Sequence, residues 1–410
     1  MAKYKRIRDI IYGLVQLDEQ EVEIIDNTAF QRLRRIKQLA LTDLVYPGAM
    51  HTRFEHSIGV MQMATDMFDN IVNKIPDSSC FKDIRGDEEK RKRYRKIVRL
   101  AALLHDVGHA PFSHANEELF PKKPDGRHYK HEDYSIAIIK ECFKNVIEDH
   151  VIGKEYGIKV SDIAYLLNDE KAPATKELIF LRPIISSQID ADRMDYLLRD
   201  SVHLGVKYGI YDKDRLIGSL RITNGDDNIG IDEKSYYNAE SLIIARYQMF
   251  SQVYYHKVRR IYDYHISEAT KCILKALKQK NSCFPSPDKV QEYLKFDDWY
   301  INRYLDEKGG EHGKIILSRK HYKALDKEIN EKSTHMERKD FDEFWEAKKN
   351  NNSFYLDDGR MKSFYDEDDN KEIIIIGKDG KDKLLTEKSR IIESMKFVTP
   401  KFKRIYEKRN

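Results

Sequence analysis

Apolar residues recur at helical spacing along most of the chain, and this pattern predicts a mainly helical protein. One helix is predicted over residues 26–41, where apolar side chains fall at Phe30, Leu33, Ile36 and Leu39. A second covers about 54–71, and a third, IVRLAALLHD, ends before Gly108, a residue type that stops helices. Further helical patterns cover about 131–149, 160–168, 186–201, 238–280 and 286–306.

Strand signals are few. Residues 221–231, with an Asn-Gly turn, and residues 372–385 each predict a β-hairpin. A basic β-like stretch and an acidic turn are expected within residues 1–25, and the charged run 85–96 predicts a solvated helix start or loop. No repeat of 20–50 residues is evident. We therefore expect a mainly α core over 1–280, with small β-hairpin additions, and a smaller α+β C-terminal subdomain over 281–410.

Composition narrows the class of protein. The 410 residues are 40% hydrophobic and 35% charged, which is enough apolar material for a core under a solvated surface. A net charge of +4 does not indicate a nucleic-acid binder, so nucleic acid remains an open partner without a supporting signal. The four cysteines show no CxxC spacing, and no apolar run or secretory signal is present; we expect a cytoplasmic protein without a membrane partner.

The strongest chemical signal is a cluster of histidines around one His-Asp pair. The segment LLHDVGHAPFSH carries His105, Asp106, His109 and His114, and HTRFEHSIGV upstream carries His56. Asp192 follows in IDADRMDY. Two histidines with two carboxylates make a mixed N/O ligand set for a divalent ion such as Mn, Fe, Ni, Zn or Mg. A single His-Asp dipeptide occurs often by chance, so the prediction rests on the conjunction of these segments.

Six ordered blocks carry a resemblance to a known family: FQRLRRIKQL, YPGAMHTRFEHSIGV, LLHDVGHAPFSH, KHEDYS, IDADRMDYLLRD and VYYHKV. In this order the chain resembles the HD-domain dNTP triphosphohydrolases, over about residues 5–280. These include the human enzyme that joins a sterile-alpha-motif domain to an HD domain. No sterile-alpha-motif domain precedes the blocks, so the likeness is closer to the bacterial stand-alone form. The resemblance implies an HD-domain helical core and an N-terminal regulatory segment.

What the resemblance implies about catalysis starts from a divalent metal ion. The positions that match the family's metal ligands are His56, His105, Asp106 and Asp192. Those that would line the α-phosphate are His109, His114 and His131, and Glu132 could orient His131. The implied reaction is attack of an activated water on the α-phosphorus, which gives a deoxynucleoside and tripolyphosphate. Whether His131 or His114 acts as the acid stays open.

The implied substrate is a deoxynucleoside triphosphate. Residues that match substrate-binding positions of the family are Gln38, Leu39, Arg53, Arg193, Tyr196, Asp200, Arg246 and Tyr254. The arginines would hold phosphates, and Tyr196 would leave no room for a 2′-hydroxyl. Arg193 departs from the Lys that is usual in the human enzyme, which changes its reach.

A regulatory site is also implied. Residues that match positions reading a guanine nucleotide effector between subunits, or that neighbour them, are Lys5, Asp26, Gln31, Arg34, His256 and Lys257. Ile10 and Tyr12 depart from the Pro and His common in this N-terminal block, which leaves the effector's identity open. The simpler alternative is that Arg32, Arg34, Arg35 and Lys37 form the solvent-exposed side of an amphipathic helix. A bridging effector would require a homo-oligomer, a dimer or a tetramer.

Three other functions stay open from the sequence. The protein could be an HD phosphohydrolase acting on another nucleotide or an HD nuclease on single-stranded nucleic acid. It could also be a nucleotide-sensing regulator with little turnover. Intact His56, His105, Asp106, Asp192 and His131 argue against the regulator.

Overall fold

A computed structural model describes residues 4–168, 172, 175–225, 228–330, 333–360, 372–396 and 401–408. Helices dominate it, which confirms the mainly α class. In chain order the helices are α1 Glu19–Asp26, α2 Thr28–Gln31, α3 Arg53–Asn73, α4 Lys82–Gly86, α5 Glu88–Leu104, α6 His131–Ile138, α7 Lys144–Glu148, α8 Val151–Glu155, α9 Val160–Leu166, α10 Lys176–Leu181, α11 Ala191–Leu204, α12 Lys213–Ser219, α13 Tyr236–Met249, α14 Lys257–Ala276, α15 Val290–Tyr293, α16 Asp298–Arg303, α17 Leu305–Lys308, α18 Gly310–Ser318, α19 His335–Lys348, α20 Leu385–Lys388 and α21 Arg390–Lys396.

The strands form three small sheets. They are β1 Lys5–Asp9, β2 Gly13–Leu17, β3 Leu220–Ile222, β4 Ile229–Asp232, β5 Lys323–Ile329, β6 Phe354–Arg360, β7 Ile374–Ile376, β8 Asp382–Leu384 and β9 Lys401–Glu407. β1 pairs with β2, the order in the second sheet is β3-β4-β7-β8, and in the third it is β5-β9-β6. Both predicted hairpins are confirmed, although residues 226–227 at the tip of the first lie outside the described residues. β4 and β7 pair in parallel and join the two hairpins into one sheet.

The core is organised by close packing of α3 against α5 and α11. A Cβ added at Gly59 in α3 would lie 2.1 Å from Arg199 Nη2 and 2.2 Å from Asp195 Oδ1 of α11. Glycine at this position therefore permits the approach of the two helices that later brings His56 to Asp195. One buried apolar cluster runs through the chain and includes residues on both sides of 280, such as Leu100 and Tyr293. The domain boundary at 280 stays a prediction.

Several predicted helices are wrong in extent, among them 286–306, which is divided into α15, α16 and the start of α17. The segment 26–41 is helical only to Gln31, continues as a 3-10 helix over Arg32–Arg35, and becomes extended at Ile36. Arg32 is fully buried because its guanidinium donates to the carbonyl oxygens of Phe296 and His109, so it does not belong to the solvated face, whereas Arg34 is exposed. These tertiary hydrogen bonds outweigh the helix propensity of the segment, because propensity alone is a weak determinant of structure.

The predicted helix 238–280 is interrupted. A π-helix at Phe250–Tyr254 follows α13, and His256 then caps α14 by accepting a hydrogen bond from Val258 N. Single π-turns of this kind occur often at functional sites. The acidic turn expected near residue 20 is instead α1, which begins with a capping box between Asp18 and Glu21. No helix among the described residues is long and apolar enough to cross a membrane.

Candidate active site

Three helices position the four predicted metal ligands. His56 lies in the second turn of α3, and His105 caps the C-terminal end of α5, with Asp106 directly after it. Asp192 lies in the first turn of α11, where the Asp190 side chain caps the helix by accepting from Arg193 N. Segments separated by up to 136 residues therefore converge on one point, as the sequence analysis expected.

The four side chains are close enough to share one ion. His56 Nε2 lies 3.0 Å from Asp192 Oδ1 and 3.5 Å from Asp106 Oδ2. His105 Nε2 lies 3.2 Å from Asp106 Oδ1 and 3.7 Å from Asp192 Oδ1. His56, His105 and Asp106, without Asp192, meet the spacing of a metal site, as does a neighbouring group of His109, His114, Glu117 and His131.

The histidine orientations fit a bound cation. His56 Nδ1 is 2.8 Å from Asp195 Oδ2, and His105 Nδ1 is 2.8 Å from the carbonyl oxygen of Ala102. Each Nδ1 thus has an acceptor that keeps the ring proton on Nδ1. Nε2 is then left with a lone pair that points toward the predicted metal position. Both Nε2 atoms are buried and make no hydrogen bond within the described part of the chain. A metal ion would satisfy them.

Electrostatics also favour a positive charge at this point. Burial works to raise the pKa of Asp106, but Arg53, His105 and His109 outweigh it and hold this pKa well below its usual range. Burial works to lower the pKa of His56, but Asp192 and Asp195 raise it to about 10. Ionised carboxylates at this density attract a proton or a cation, and a bound divalent ion would displace the proton.

A second cluster adjoins the first and is built around one carboxylate. Glu117 Oε1 lies 2.6 Å from His131 Nδ1, 3.1 Å from His114 Nδ1 and 3.8 Å from His109 Nδ1. The His109 and His131 rings stack with centroids 3.9 Å apart, and His109 Nε2 lies 3.2 Å from Asp106 Oδ1. The predicted trio His109, His114 and His131 is therefore assembled beside the metal ligands.

Glu117 is a residue that the sequence analysis missed. It makes the hydrogen bond to His131 that was expected of Glu132, whose Oε2 lies 3.5 Å from the same nitrogen and has no hydrogen bond within the described residues. The available signal was spacing, because His114 and Glu117 are three residues apart in the 3-10 helix Ser113–Leu119, where such positions lie on one face.

Gly108 brings this cluster together. A Cβ at this position would lie 2.3 Å from the carbonyl oxygen of His131 and 2.2 Å from Ser135 N. Only glycine lets the start of α6 approach the turn that follows Asp106. Ser135 Oγ locks the contact by donating to His105 O and accepting from Gly108 N.

The second cluster holds its protons differently from the first. Burial works to lower the pKa of His131, but Glu132 and Glu117 raise it to about 9. For His109, burial and Arg53 hold the pKa well below its usual range. At neutral pH a protonated His131 therefore stacks on a neutral His109, and Glu117 is ionised because His114 and His131 outweigh its burial.

A cavity of about 530 Å³ opens beside both clusters. It is lined by Arg53 and His114 from the clusters and by five other predicted substrate residues, namely Gln38, Leu39, Tyr196, Asp200 and Tyr254. Arg53 connects the two regions, because its guanidinium contacts Asp106 and donates to Ser113 Oγ at 2.8 Å.

Asp200 is fixed from both sides. Tyr254 Oη donates to its Oδ2 at 2.5 Å, and His51 Nε2 lies 2.7 Å from its Oδ1. His51 is fully buried and stacks on His203, and the sequence analysis did not single it out. Its position two residues before Arg53, in the same motif, was the signal available.

Arg193 and Arg246 do not line this cavity. Arg193 pairs with Asp190 and donates to Ser187 O, and Arg246 Nη1 donates to Gln188 Oε1 at 3.0 Å. Both still act electrostatically on Tyr196. They therefore flank the cavity, and contact with a ligand would require Arg193 to exchange its present partners.

The predicted effector residues fall into two groups. Lys5 Nζ lies 3.9 Å from Asp26 Oδ2, and Arg34 donates to Gln31 Oε1. Gln31 also donates to the carbonyl oxygen of Ile25, which precedes Asp26, so the two pairs are neighbours. His256 and Lys257 begin α14, where the Lys257 carbonyl accepts from Tyr406 Oη. No hydrogen bond or ion pair joins the two groups within the residues that the structure describes.

Comparison with known proteins places this geometry in a family. Residues 53–200 match the HD domain and residues 211–349 match the HD associated region. A protein named deoxynucleoside triphosphate triphosphohydrolase SAMHD1 homolog, from Dictyostelium discoideum, is 34% identical over 65% of this chain and 48% of its own length. The chain spans about half the length of several curated relatives that it matches.

Two solved structures match along the whole chain. A hypothetical protein from Aquifex aeolicus has a TM-score of 0.78 at 30% identity and covers 99% of this chain and 97% of its own. A phosphohydrolase from Bacteroides thetaiotaomicron has a TM-score of 0.74 at 25% identity, with both chains covered completely. The similarity therefore extends to the C-terminal region, beyond the part that carries the motifs.

Proposed function

The chain belongs to the HD-domain family, and we propose that it is a metal-dependent phosphohydrolase that cleaves a deoxynucleoside triphosphate into a deoxynucleoside and tripolyphosphate. One observation carries the proposal. A metal-competent cluster and a proton-holding histidine cluster adjoin each other beside a cavity with Tyr196, Asp200 and Tyr254 in its wall. The name of the Dictyostelium relative supports the substrate.

His56, His105, Asp106 and Asp192 would hold the ion, which supplies Lewis-acid polarisation of phosphoryl oxygens. In the reaction, a water oxygen bonds to the α-phosphorus and the water gives up a proton to the solvent, while the bond from phosphorus to the 5′-oxygen breaks and tripolyphosphate is released. His131, which Glu117 holds by a hydrogen bond, donates the proton that the leaving 5′-oxygen takes up. Arg53, at the junction of cluster and cavity, binds the phosphate.

The sugar lies on the α11 side of the cavity. Tyr196 packs where a 2′-hydroxyl would project, which favours deoxyribose. The 3′-hydroxyl bonds to Gln38 and Asp200, the second of which is held in place by His51 and Tyr254. Buried polar groups that must be matched by the ligand give strong discrimination.

Nucleotide regulation forms the second part of the proposal. Lys5, Asp26, Gln31 and Arg34 form two neighbouring pairs, which supports an effector site there, completed in a homo-oligomer by His256 and Lys257 of another subunit. Mass measured by light scattering with and without a guanine nucleotide tests this part, and an unchanged monomer would contradict it.

The reaction is tested by product analysis. The purified protein is incubated with Mn²⁺ and each dNTP and NTP, alone and in pairs, and the products are separated by anion exchange and identified by ³¹P NMR. We expect a deoxynucleoside and tripolyphosphate, with little turnover of NTPs. Release of orthophosphate or pyrophosphate instead would reject the proposed reaction. No turnover in any pair, with Mn²⁺ bound, would favour a nucleotide-sensing role.

A further inference from the structure

We propose that the cavity wall formed by α14 and β6 binds the nucleobase, with Tyr355 as the residue that sets the preference between purine and pyrimidine substrates. This inference rests on the proposed function and extends it to a part of the chain, beyond residue 350, to which neither the motifs nor the comparisons assign a role. It starts from the cavity lining, to which Tyr264 of α14 and Tyr355 of β6 both belong.

The two tyrosine rings form one face-to-face aromatic stack in the cavity wall. Their rings stack with centroids 3.7 Å apart and planes 17° from parallel, and each side chain is half-buried. Tyr355 also lies 6.1 Å from the Tyr406 ring, which supports it from β9. Aromatic surfaces of this kind favour planar heterocycles, because bases stack on aromatic side chains with little dependence on their hydrogen-bonding edges.

A buried ion pair fixes this strand on α14. Arg260 donates to both carboxylate oxygens of Asp357, at 2.6 and 3.1 Å, and Asp357 is only 1% exposed. Residues 355 and 357 lie on the same face of β6, since side chains alternate along a strand. The pair therefore holds Tyr355 against the cavity at a defined register.

The charges of this wall suit a neutral group better than a phosphate. The guanidinium groups of Arg259 and Arg260 pair with the carboxylates of Asp263 and Asp357, and Glu118 adds a third carboxylate to the lining. A triphosphate with about four negative charges would gain little here, whereas the Arg53 guanidinium contacts Asp106 in the metal-ligand cluster. With the phosphates at the metal and the sugar on α11, the base is the part of the substrate left for this wall.

The wall also carries an unsatisfied acceptor. Asp263 Oδ1 is buried and has no hydrogen-bond partner among the residues that the structure describes. An amino group on a base edge is a donor that would complement it. Stacking and this acceptor together favour adenine and guanine, which offer both a larger ring surface and an amino group.

The test compares Tyr355→Leu, which keeps apolar volume without a ring, with Tyr355→Phe, which keeps the ring. Asp358→Asn is the matched control, because Asp358 is exposed on the opposite face of the same strand. We measure kcat/KM for all four dNTPs, together with the melting temperature and Mn²⁺ affinity of each variant. We expect Tyr355→Leu to lower the ratio of purine to pyrimidine kcat/KM by about 10-fold. Tyr355→Phe and Asp358→Asn should stay within about threefold of the parent.

The outcomes separate this inference from the reaction itself. If Tyr355→Leu hydrolyses the four dNTPs with the same order of kcat/KM as the parent, the proposed base site is wrong, while the proposed reaction still holds. Calorimetric binding of the four deoxynucleosides needs no turnover; a Tyr355-dependent purine preference there would uphold the base site even without hydrolysis. Should Tyr355→Leu melt far below the parent, Tyr264→Leu removes the other ring of the pair, and an unchanged ranking in it would equally overturn the inference.

Discussion

The two histidine clusters use the same residue types to opposite effect. In the first cluster, each histidine has its own acceptor for Nδ1: Asp195 Oδ2 for His56 and the Ala102 carbonyl oxygen for His105. Both Nε2 atoms therefore face carboxylates across a shared point. In the second, His109, His114 and His131 all turn Nδ1 toward a single oxygen of Glu117.

Under the proposed function, this difference separates metal ligands from proton carriers. A histidine that keeps its proton on the far nitrogen offers a lone pair to a metal, whereas one that shares its proton with a carboxylate can donate it. The clusters lie close enough for His109 Nε2 to contact Asp106 at 3.2 Å. The chemistry of each cluster is therefore set by the hydrogen-bond acceptors of the Nδ1 atoms rather than by the imidazole rings themselves.

The largest expected effect comes from breaking the first cluster. His105→Ala or Asp106→Ala should lower hydrolysis by about 1,000-fold or more, because a bound ion supplies several kcal/mol of transition-state stabilisation. Mn²⁺ binding, followed by calorimetry, should be lost in the same variants. His335→Ala, at an exposed histidine in α19, is the control and should bind Mn²⁺ as the parent does. Unchanged activity in His105→Ala would remove it from the metal site.

Breaking the second cluster should separate catalysis from metal binding. Glu117→Gln removes the carboxylate that holds His131, and we expect activity to fall about 100- to 1,000-fold with Mn²⁺ stoichiometry unchanged. Glu132 makes no hydrogen bond to His131, so Glu132→Gln should lower activity less than Glu117→Gln does. If Glu117→Gln instead loses a metal ion, the second cluster is a ligand set and the contrast between the clusters fails.

A milder change tests the support behind His56. Asp195→Asn keeps the side-chain shape but weakens the acceptor for His56 Nδ1, and we expect Mn²⁺ affinity to fall about 10- to 100-fold. The same change leaves the buried Arg199 with Asp9 as its remaining carboxylate partner, so the melting temperature should fall as well. A variant that is less stable but binds Mn²⁺ like the parent would show that Asp195 is only structural.

The smallest effect concerns the sugar. Tyr196→Ala should reduce the ratio of dNTP to NTP turnover by about 10-fold while Mn²⁺ binding is unaffected. Rates on paired dNTP and NTP substrates measure it directly. An unaltered ratio would refute the steric role of Tyr196.

Much of the scaffold could be predicted because its signal is local. The apolar spacing before His105 and around His56 fixes α5 and α3, and the family motifs point to the residues that the fold then brings together. The segment 26–41 could not be predicted, because the partner of Arg32 is the Phe296 carbonyl, 264 residues away. In the sequence, a buried arginine within a basic run cannot be distinguished from an exposed one until its hydrogen-bond acceptors are known.

The site itself divides in the same way. His56, His105, Asp106 and Asp192 could be chosen by motif, but Glu117 acts through a 3-10 spacing that motif reading passed over. Tyr355 reaches the cavity through the pairing of β6 with β9 and of Asp357 with Arg260, the second a contact between residues 97 apart. Local patterns cannot encode that register.

The most direct measurement is anomalous X-ray scattering from crystals grown with Mn²⁺. The account predicts one strong peak at the point shared by His56, His105, Asp106 and Asp192, about 2.0–2.3 Å from both Nε2 atoms. A peak centred on Glu117 and His131 with none between His56 and His105, or no peak at either cluster, would contradict it.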